Sequence, residues 1–275
     1  MQATYKNNSS LIDKNKIMNH QLKKAQSFKA LHQKGDPLII YNIWDAGSAR
    51  EVESAGAKAI GTSSWAVAKS KGVQDGEHLP LSEVLFNVER IMTSVKVPVT
   101  IDIEGGYGKT PAEVSKTIEG LIKRGIVGVS FEDQIIGEKE LYSSPDQCDR
   151  IRAIRAISNK YSMPIFINAT TNLFFKEEKN HVKLMDEAFE RLEMYHKAGA
   201  DGFFVPGLSN EILIKDLCEN SPIPINIAIS DEISCTQKLK DLGISRISHG
   251  PRPYIDFLNA LKSIMQTELE GFCEK

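Results

Sequence analysis

The sequence predicts an α/β protein folded as a (β/α)8 TIM barrel, with an N-terminal helix and a C-terminal helical extension. Three observations carry that prediction. Eight short apolar runs alternate along the chain with amphipathic stretches. Each run is too short for a helix and near-continuously hydrophobic, as suits a parallel strand buried on both faces. Four runs follow a helix ending in glycine, at Ala55-Gly56-Ala57, Arg124-Gly125-Ile126, Ala198-Gly199-Ala200 and Leu242-Gly243-Ile244, and the other four follow Pro37, Pro98, Pro164 and Pro224. Glycine permits a left-handed helix cap and proline ends the preceding element. The two kinds alternate strictly, as in a βαβα unit used four times. Finally, eight βα units within about 250 residues match the size of such a barrel.

The elements follow in order. Residues 1–16 have no apolar period and are expected to form a flexible tail, leaving 17–275 as one barrel domain with C-terminal helices. Ile17, Leu22, Ala25, Phe28 and Leu31 share one helical stripe, and Gly35 stops it. The strands are expected at 38–43, 59–62, 97–103, 127–131, 165–168, 202–205, 223–229 and 244–248. Helices are expected between and after them, at 81–94, 111–124, 146–160, 181–198 and 254–268 among others. A doubly wound open sheet would use fewer strands and a glycine-rich first turn. The turn after Ile43, Trp44-Asp45-Ala46-Gly47-Ser48, lacks that fingerprint.

Composition narrows the function. The 275 residues are 41% hydrophobic and 25% charged, the balance of a soluble globular protein. The 34 basic and 36 acidic residues lack the basic excess of a nucleic-acid binder. No apolar run approaches a membrane span. Residues 1–19 are polar and lysine-rich with no apolar signal core. Cys148, Cys218, Cys235 and Cys273 are scattered without metal-finger spacing. A cytoplasmic protein with reduced thiols, and with no nucleic-acid or membrane partner, is expected.

In such a barrel the chemistry lies where strands end, on the carboxyl face. Those positions are Asn42 and Asp45, Thr62-Ser63-Ser64, Asp102 and Glu104, Glu132-Asp133, Asn168 to Asn172, Asn226, and Ser248-His249. Asp102 and Glu104 are two apart and point the same way from one strand, and Glu132 ends the next. Such acids repel one another unless a cation or shared protons neutralise them. Oxygen ligands without cysteine or histidine suit Mg²⁺ or Mn²⁺ rather than zinc. The alternative is a set of solvated loop acids. Glu104-Gly105-Gly106-Tyr107-Gly108-Lys109-Thr110 ends as a phosphate-binding loop does, but the required first glycine falls at Ile103, so the motif fails. Trp44 and Trp65 fit either pocket lining or barrel packing, and His249 either acid–base work or a structural hydrogen bond.

Ile101-Asp102-Ile103-Glu104-Gly105-Gly106-Tyr107-Gly108 resembles the D-x-D-x-G-Y-G motif of the isocitrate lyase/phosphoenolpyruvate mutase superfamily. Asn42 through Arg50 is similar to that family's first strand and turn. Gly61-Thr62-Ser63-Ser64 with Gly72-Val73-Gln74-Asp75-Gly76 is similar to its second unit, and Phe131-Glu132-Asp133-Gln134 to its fourth. Ala198 through Pro206 and Arg246-Ile247-Ser248-His249-Gly250-Pro251 complete a resemblance running from about residue 28 to 261, closest to the small single-domain members.

The resemblance implies cleavage or rearrangement of a C–C or P–C bond next to a pyruvate-like enolate. By it Asp102 binds Mg²⁺ directly, and Asp75, Glu104 and Glu132 hold its water ligands. The backbone N–H groups of Ser63 and Ser64 clasp the substrate's carboxylate or enolate oxygen. Asp75, Glu132, Ser63 and Ser64 are thus expected to serve catalysis. Asp102, Glu104 and Glu132 are expected at the metal, and Trp44, Asp45, Thr62, Ser63, Ser64, Thr170 and Asn226 around the substrate.

Three departures qualify this. The K-K-C-G-H segment of isocitrate and methylisocitrate lyases is replaced by Ile135-Ile136-Gly137-Glu138-Lys139-Glu140-Leu141-Tyr142, which lacks its cysteine, and the P–C mutases' short asparagine-bearing segment is missing too. Asn168-Ala169-Thr170-Thr171-Asn172 stands where relatives read N-A-R-T-D, so Thr170 replaces a carboxylate-gripping arginine. Glu104 replaces an aspartate.

The expected activity is a Mg²⁺-dependent C–C lyase, or decarboxylase/hydrolase, on a small 2-oxo or 2-hydroxy dicarboxylate. The alternatives are a P–C mutase or phosphonopyruvate hydrolase acting on a phosphonate, and a metabolite-binding barrel without turnover. Residues 134–147, long and polar for a βα loop, are expected to form a mobile lid. Residues 254–272 carry more apolar surface than a barrel-wall helix needs, with Phe272 and Cys273 extending it. A homodimer or homotetramer built through these helices is therefore expected.

Overall fold

A computed structural model of the chain describes residues 18–175 and 180–271. All eight apolar runs are parallel strands: β1 (Leu38–Ile40), β2 (Ile60–Gly61), β3 (Val99–Asp102), β4 (Gly128–Glu132), β5 (Phe166–Thr170), β6 (Gly202–Phe204), β7 (Ile225–Ala228) and β8 (Arg246–Ser248). They form one sheet in the order β1-β8-β7-β6-β5-β4-β3-β2. The ring closes beyond the ends of β1 and β2 through a parallel bridge between Ile43 and Thr62. There the Ile43 N–H donates to Gly61 O at 2.9 Å and the Ser63 N–H to Ile43 O at 3.1 Å. The expected TIM barrel is the observed fold.

Ten α-helices lie among the described residues. α1 spans residues 18–30. The others are α2 (Ala46–Ser54), α3 (Ser64–Ser70), α4 (Leu81–Ser94), α5 (Pro111–Ile122), α6 (Ser144–Lys160), α7 (Met185–Ala198), α8 (Glu211–Asn220), α9 (Thr236–Asp241) and α10 (Arg252–Leu269). The four glycines read as caps, Gly56, Gly125, Gly199 and Gly243, all have positive φ. Gly108-Lys109-Thr110 is no phosphate loop. Thr110 caps α5 by accepting the Glu113 N–H, and the Glu113 carboxylate takes the N–H groups of Lys109 and Thr110 at 3.0 and 2.9 Å. No helix among the described residues is long and apolar enough to cross a membrane. The expected tail at 1–16, residues 176–179, and Phe272 and Cys273 lie outside the described residues.

Two features of the packing bear on the site. First, α1 plugs the barrel floor: Phe28 meets Phe166 edge-on at 5.6 Å, and His32 stacks on Phe166 at 4.0 Å. A Cβ on Gly128 would come within 2.9 Å of the Phe28 ring, so glycine at that inward position makes room for the plug. Above it the interior is polar. Asn168 donates to Ser130 Oγ at 3.2 Å, Asn226 to Ser248 Oγ at 3.1 Å, and Arg246 Nε to Ser248 Oγ at 3.3 Å. These amides and hydroxyls thus find one another away from water, whereas the Thr100 and Thr170 hydroxyls are buried without a partner.

Second, α10 stands off its own barrel. Only Pro253 and Tyr254 of it are buried, whereas Phe257, Leu258, Leu261, Ile264 and Leu269 are exposed. Ile39 on β1 and Tyr41 just after it are correspondingly 44% and 43% exposed. They edge a cleft of about 810 Å³ that Leu31, Val52 and Ala55 also line.

Candidate active site

Strand direction carries the acids to one end of the barrel. Asp102 and Glu132 end β3 and β4, Glu104 follows Asp102, and Asp75 sits in the loop after α3. The Asp102 carboxylate accepts the Ser64 N–H at 3.1 Å and the Glu104 N–H at 3.3 Å, while its own N–H donates to Thr62 Oγ1 at 2.9 Å. Glu132 accepts from Asn172 Nδ2 at 2.8 Å. Oδ1 of Asp75 is buried without a hydrogen-bond partner.

Burial is the main cause that pushes these carboxyls upward, to about 6 for Asp75, about 7 for Glu104 and about 8 for Glu132. The charge of Asp102 adds to all three, and Asp102 itself is raised by burial. Four acids that resist ionising together are a place for a cation or for protons. Among the described residues no three acids, histidines or cysteines converge to hold one ion directly. The all-oxygen donor set and the unpartnered Asp75 oxygen instead suit a hydrated hard cation held by one carboxylate and, through water, by the others.

The other expected residues are placed as follows. Ser63 is the N-cap of α3, its hydroxyl accepting the Ala66 N–H at 3.4 Å. Its own N–H closes the barrel on Ile43, and the Ser64 N–H faces Asp102, so both donors expected to clasp substrate have protein partners here. Asp45 caps α2 through the Ser48 N–H at 2.7 Å. Trp44 packs on Tyr254 and Phe257 at 4.9 and 5.5 Å, joining the mouth to the root of α10. Thr170 faces inward, in register with Glu132 and Phe204, and its Oγ1 is buried without a partner. Asn226 is buried and engaged with Ser248. His249 Nδ1 meets Ile40 O at 3.2 Å, and burial lowers its pKa.

Of residues 134–147, expected as a lid, 134–143 precede α6 and 144–147 instead form its first turn. Gln134 pairs antiparallel with Leu141, which makes the segment a small hairpin. Its Ile136 rests on Gly105, where a Cβ would come within 2.7 Å.

Arg150 and Gln147 carried no signal in the sequence, and Asp133 stood in the Phe131-Glu132-Asp133-Gln134 motif without a role of its own. Arg150, 2% exposed, donates to the carbonyls of Gly105 and Gly108 and lies over the Phe131 and Tyr142 rings at 4.8 and 4.0 Å. Gln147 joins it to the Glu132 carbonyl. Asp133, behind Glu132, is fully buried against Arg191 and Tyr195 at 3.1 and 2.9 Å and accepts the Asn172 N–H at 3.0 Å, which places the amide that holds Glu132. Arg246 had one available signal, a charge inside an apolar strand run. Its Nη1 is buried without a partner beneath the mouth, and Asp102 is the acid that acts on it.

Comparison with known proteins agrees with this architecture. A sequence model of the phosphoenolpyruvate phosphomutase family matches residues 28–269. The chain is 28% identical to the 2-methylisocitrate lyase of Escherichia coli over 215 residues, 75% of this chain and 70% of that one. It is 25% identical to the oxaloacetate decarboxylase of Pseudomonas savastanoi pv. phaseolicola over 245 residues, 86% of this chain and 81% of that one. A solved structure from Burkholderia cenocepacia J2315, provisionally described as a phosphonomutase, superposes with a TM-score of 0.86 at 39% identity, covering 92% of this chain and all (100%) of that one.

Proposed function

Because the chain belongs to the phosphoenolpyruvate phosphomutase family, we propose that it is a Mg²⁺-dependent C–C lyase or decarboxylase/hydrolase acting on a small 2-oxo or 2-hydroxy dicarboxylate. The observation that carries this reading is the gathering of Asp75, Glu104 and Glu132 around Asp102, with an Asp75 oxygen left unpartnered. The similarity to 2-methylisocitrate lyase and oxaloacetate decarboxylase supports the bond type.

In this reading Asp102 holds the ion, and Asp75 and Glu132 orient its water ligands. When bound, Mg²⁺ supplies a Lewis acid that polarises the substrate's oxo and carboxylate oxygens. For a 2-oxo substrate the C–C bond breaks with its electron pair passing into the 2-oxo group, giving CO2 or an acyl fragment and a pyruvate-like enolate. For a 2-hydroxy substrate a base takes the hydroxyl proton, that carbon becomes the carbonyl of the 2-oxo acid, and the electron pair passes to the other fragment. For the turn at Ser63 and Ser64 to meet the oxygen where that charge develops, the Ser64 N–H would exchange its Asp102 partner for the substrate, while the Ser63 N–H stays on Ile43 O. Asn172 and the Asp133–Arg191 pair keep Glu132 aimed inward. The hairpin at 134–143 covers the mouth and excludes water from the enolate. Mn²⁺ would satisfy the same oxygen ligands. Free Cys148, Cys218 and Cys235 support a reducing, cytoplasmic location.

A second reading, P–C bond chemistry on phosphonopyruvate, is favoured by the likeness to the Burkholderia structure. Assay with oxaloacetate, phosphonopyruvate and substituted malates, with Mg²⁺ and with chelator, separates the two. Chelator-sensitive turnover of a dicarboxylate is expected. Turnover of phosphonopyruvate alone would favour the second reading, and turnover of none would leave a binding barrel.

The same reading makes the protein a homo-oligomer in which α10 covers the open cleft beside β1 of a second copy. The helix is 18 residues long, about 27 Å. Its unpartnered apolar face matches an uncovered apolar cleft on the same molecule, a self-complementary arrangement that association of copies satisfies. Light scattering is expected to give a dimer or tetramer, and either Ile264→Asp on the helix or Ile39→Asp in the cleft should dissociate it. A monomer at micromolar concentration would reject this assembly.

A further inference from the structure

The loops at residues 72–78 and 104–110 hold each other through exchanged carboxylates. Oε2 of Glu104 accepts the N–H groups of Gly76 and Glu77 at 2.7 and 2.6 Å, and its Oε1 accepts the Tyr107 hydroxyl at 3.1 Å. In return, Oε1 of Glu77 accepts the Tyr107 N–H at 2.7 Å. Glu77, Glu104 and Tyr107 have φ of 58°, 50° and 55°, left-handed backbone that a residue with a Cβ disfavours. A Cβ on Gly105 would come within 3.0 Å of Glu77 Oε1, so the glycine clears that carboxylate's path. Arg150 braces the same turn from outside through the Gly105 and Gly108 carbonyls. Glu104 is 4% exposed. Three donors already occupy its two oxygens.

We propose that Glu104 and Glu77 form a reciprocal latch whose task is to place Asp75, making Glu104 a positioning residue. Asp75 immediately precedes the two amides that Glu104 grips, so the latch fixes where its unpartnered oxygen lies. The extra methylene of glutamate at position 104 lets its carboxylate span to the neighbouring loop. Glu77 has no part in any metal assignment, yet the geometry makes it Glu104's equal.

The metal arm of the test rests on the Mg²⁺ reading above, and the hydrogen-exchange arm does not. Glutamine at 104 keeps an oxygen for the two amides but loses the charge. Glu104→Gln should bind Mg²⁺ within about threefold of wild type, whereas Glu104→Ala and Glu77→Ala should each weaken it about tenfold or more. Thermal melts confirm that each variant is folded. By exchange, Glu104→Ala should deprotect the Tyr107 amide as well as those of Gly76 and Glu77, and Glu77→Ala should deprotect the Gly76 amide as well as that of Tyr107. Glu104→Gln should preserve all three. The latch is overturned if Glu104→Gln falls as far as Glu104→Ala, or if each alanine frees only the amides its own carboxylate held. Should wild type bind no Mg²⁺, the metal reading fails and the exchange pattern alone decides.

Discussion

The two halves of the barrel mouth are built on opposite principles. From β2 to β4 the strand ends carry Asp102, Glu104 and Glu132, with Asp75 beside them, and each of the first three has a carboxylate oxygen tied to a neighbouring loop. From β5 to β7 they carry Thr170, Phe204 and Ala228, which are neutral and make no such ties. On the proposed function, charge develops and is stabilised on one side, while the other would offer the substrate shape and a hydroxyl. The acid half is also the costly half, since burial raises each of its carboxyls. A functional load of this kind is where stability is given up.

The largest expected effect comes from removing the centre of the acid half. Asp102→Ala should abolish Mg²⁺ binding in calorimetry and lower turnover by about three orders of magnitude. The circular dichroism should be unchanged, because the barrel's core lies below it. Unchanged affinity would reject Asp102 as the ligand and dissolve the contrast between the halves.

A smaller effect lies in the pH dependence of stability. Asp75, Glu104 and Glu132 have folded pKa values of about 6, 7 and 8, above their ordinary carboxylate values. The folded state therefore keeps protons that the unfolded chain has released, so stability falls as pH rises from the carboxylate range to about 8. In chelator the melting temperature should decline over that interval. Added Mg²⁺ should flatten the decline, since the ion replaces the protons. A melting temperature that rises with pH in chelator would show that the acids are not crowded as described.

The contrast also explains what the sequence disclosed. Strands buried on both faces must be apolar throughout, and glycine caps must recur before alternate strands, so the barrel was legible. Asp102, Glu104 and Glu132 were legible because a strand end fixes their place, whereas Asp75, in a turn after α3, was named only through the family resemblance. The latch was not: Glu77 follows Gly76 in an ordinary polar turn, and its partner Tyr107 lies 30 residues on. Arg150 meets Gly105 across 45 residues, and nothing in α6 sets it apart from the neighbouring arginines. The placement of α10 was only half legible, because an apolar stripe looks the same whether it covers its own barrel or another's.

The smallest expected effect tests the neutral half. Thr170 is buried with its hydroxyl unpartnered, and such a hydroxyl costs stability unless something binds it. Thr170→Val preserves shape and removes the hydroxyl. If the hydroxyl meets the substrate, KM should rise by about three- to tenfold, the worth of one neutral hydrogen bond, with kcat nearly unchanged. The melting temperature without substrate should hold or rise slightly, because no protein contact is lost. An unchanged KM would mean that the far end of the substrate does not reach β5. A large fall in kcat would place Thr170 in the chemistry itself, and the division of labour between the halves would not stand.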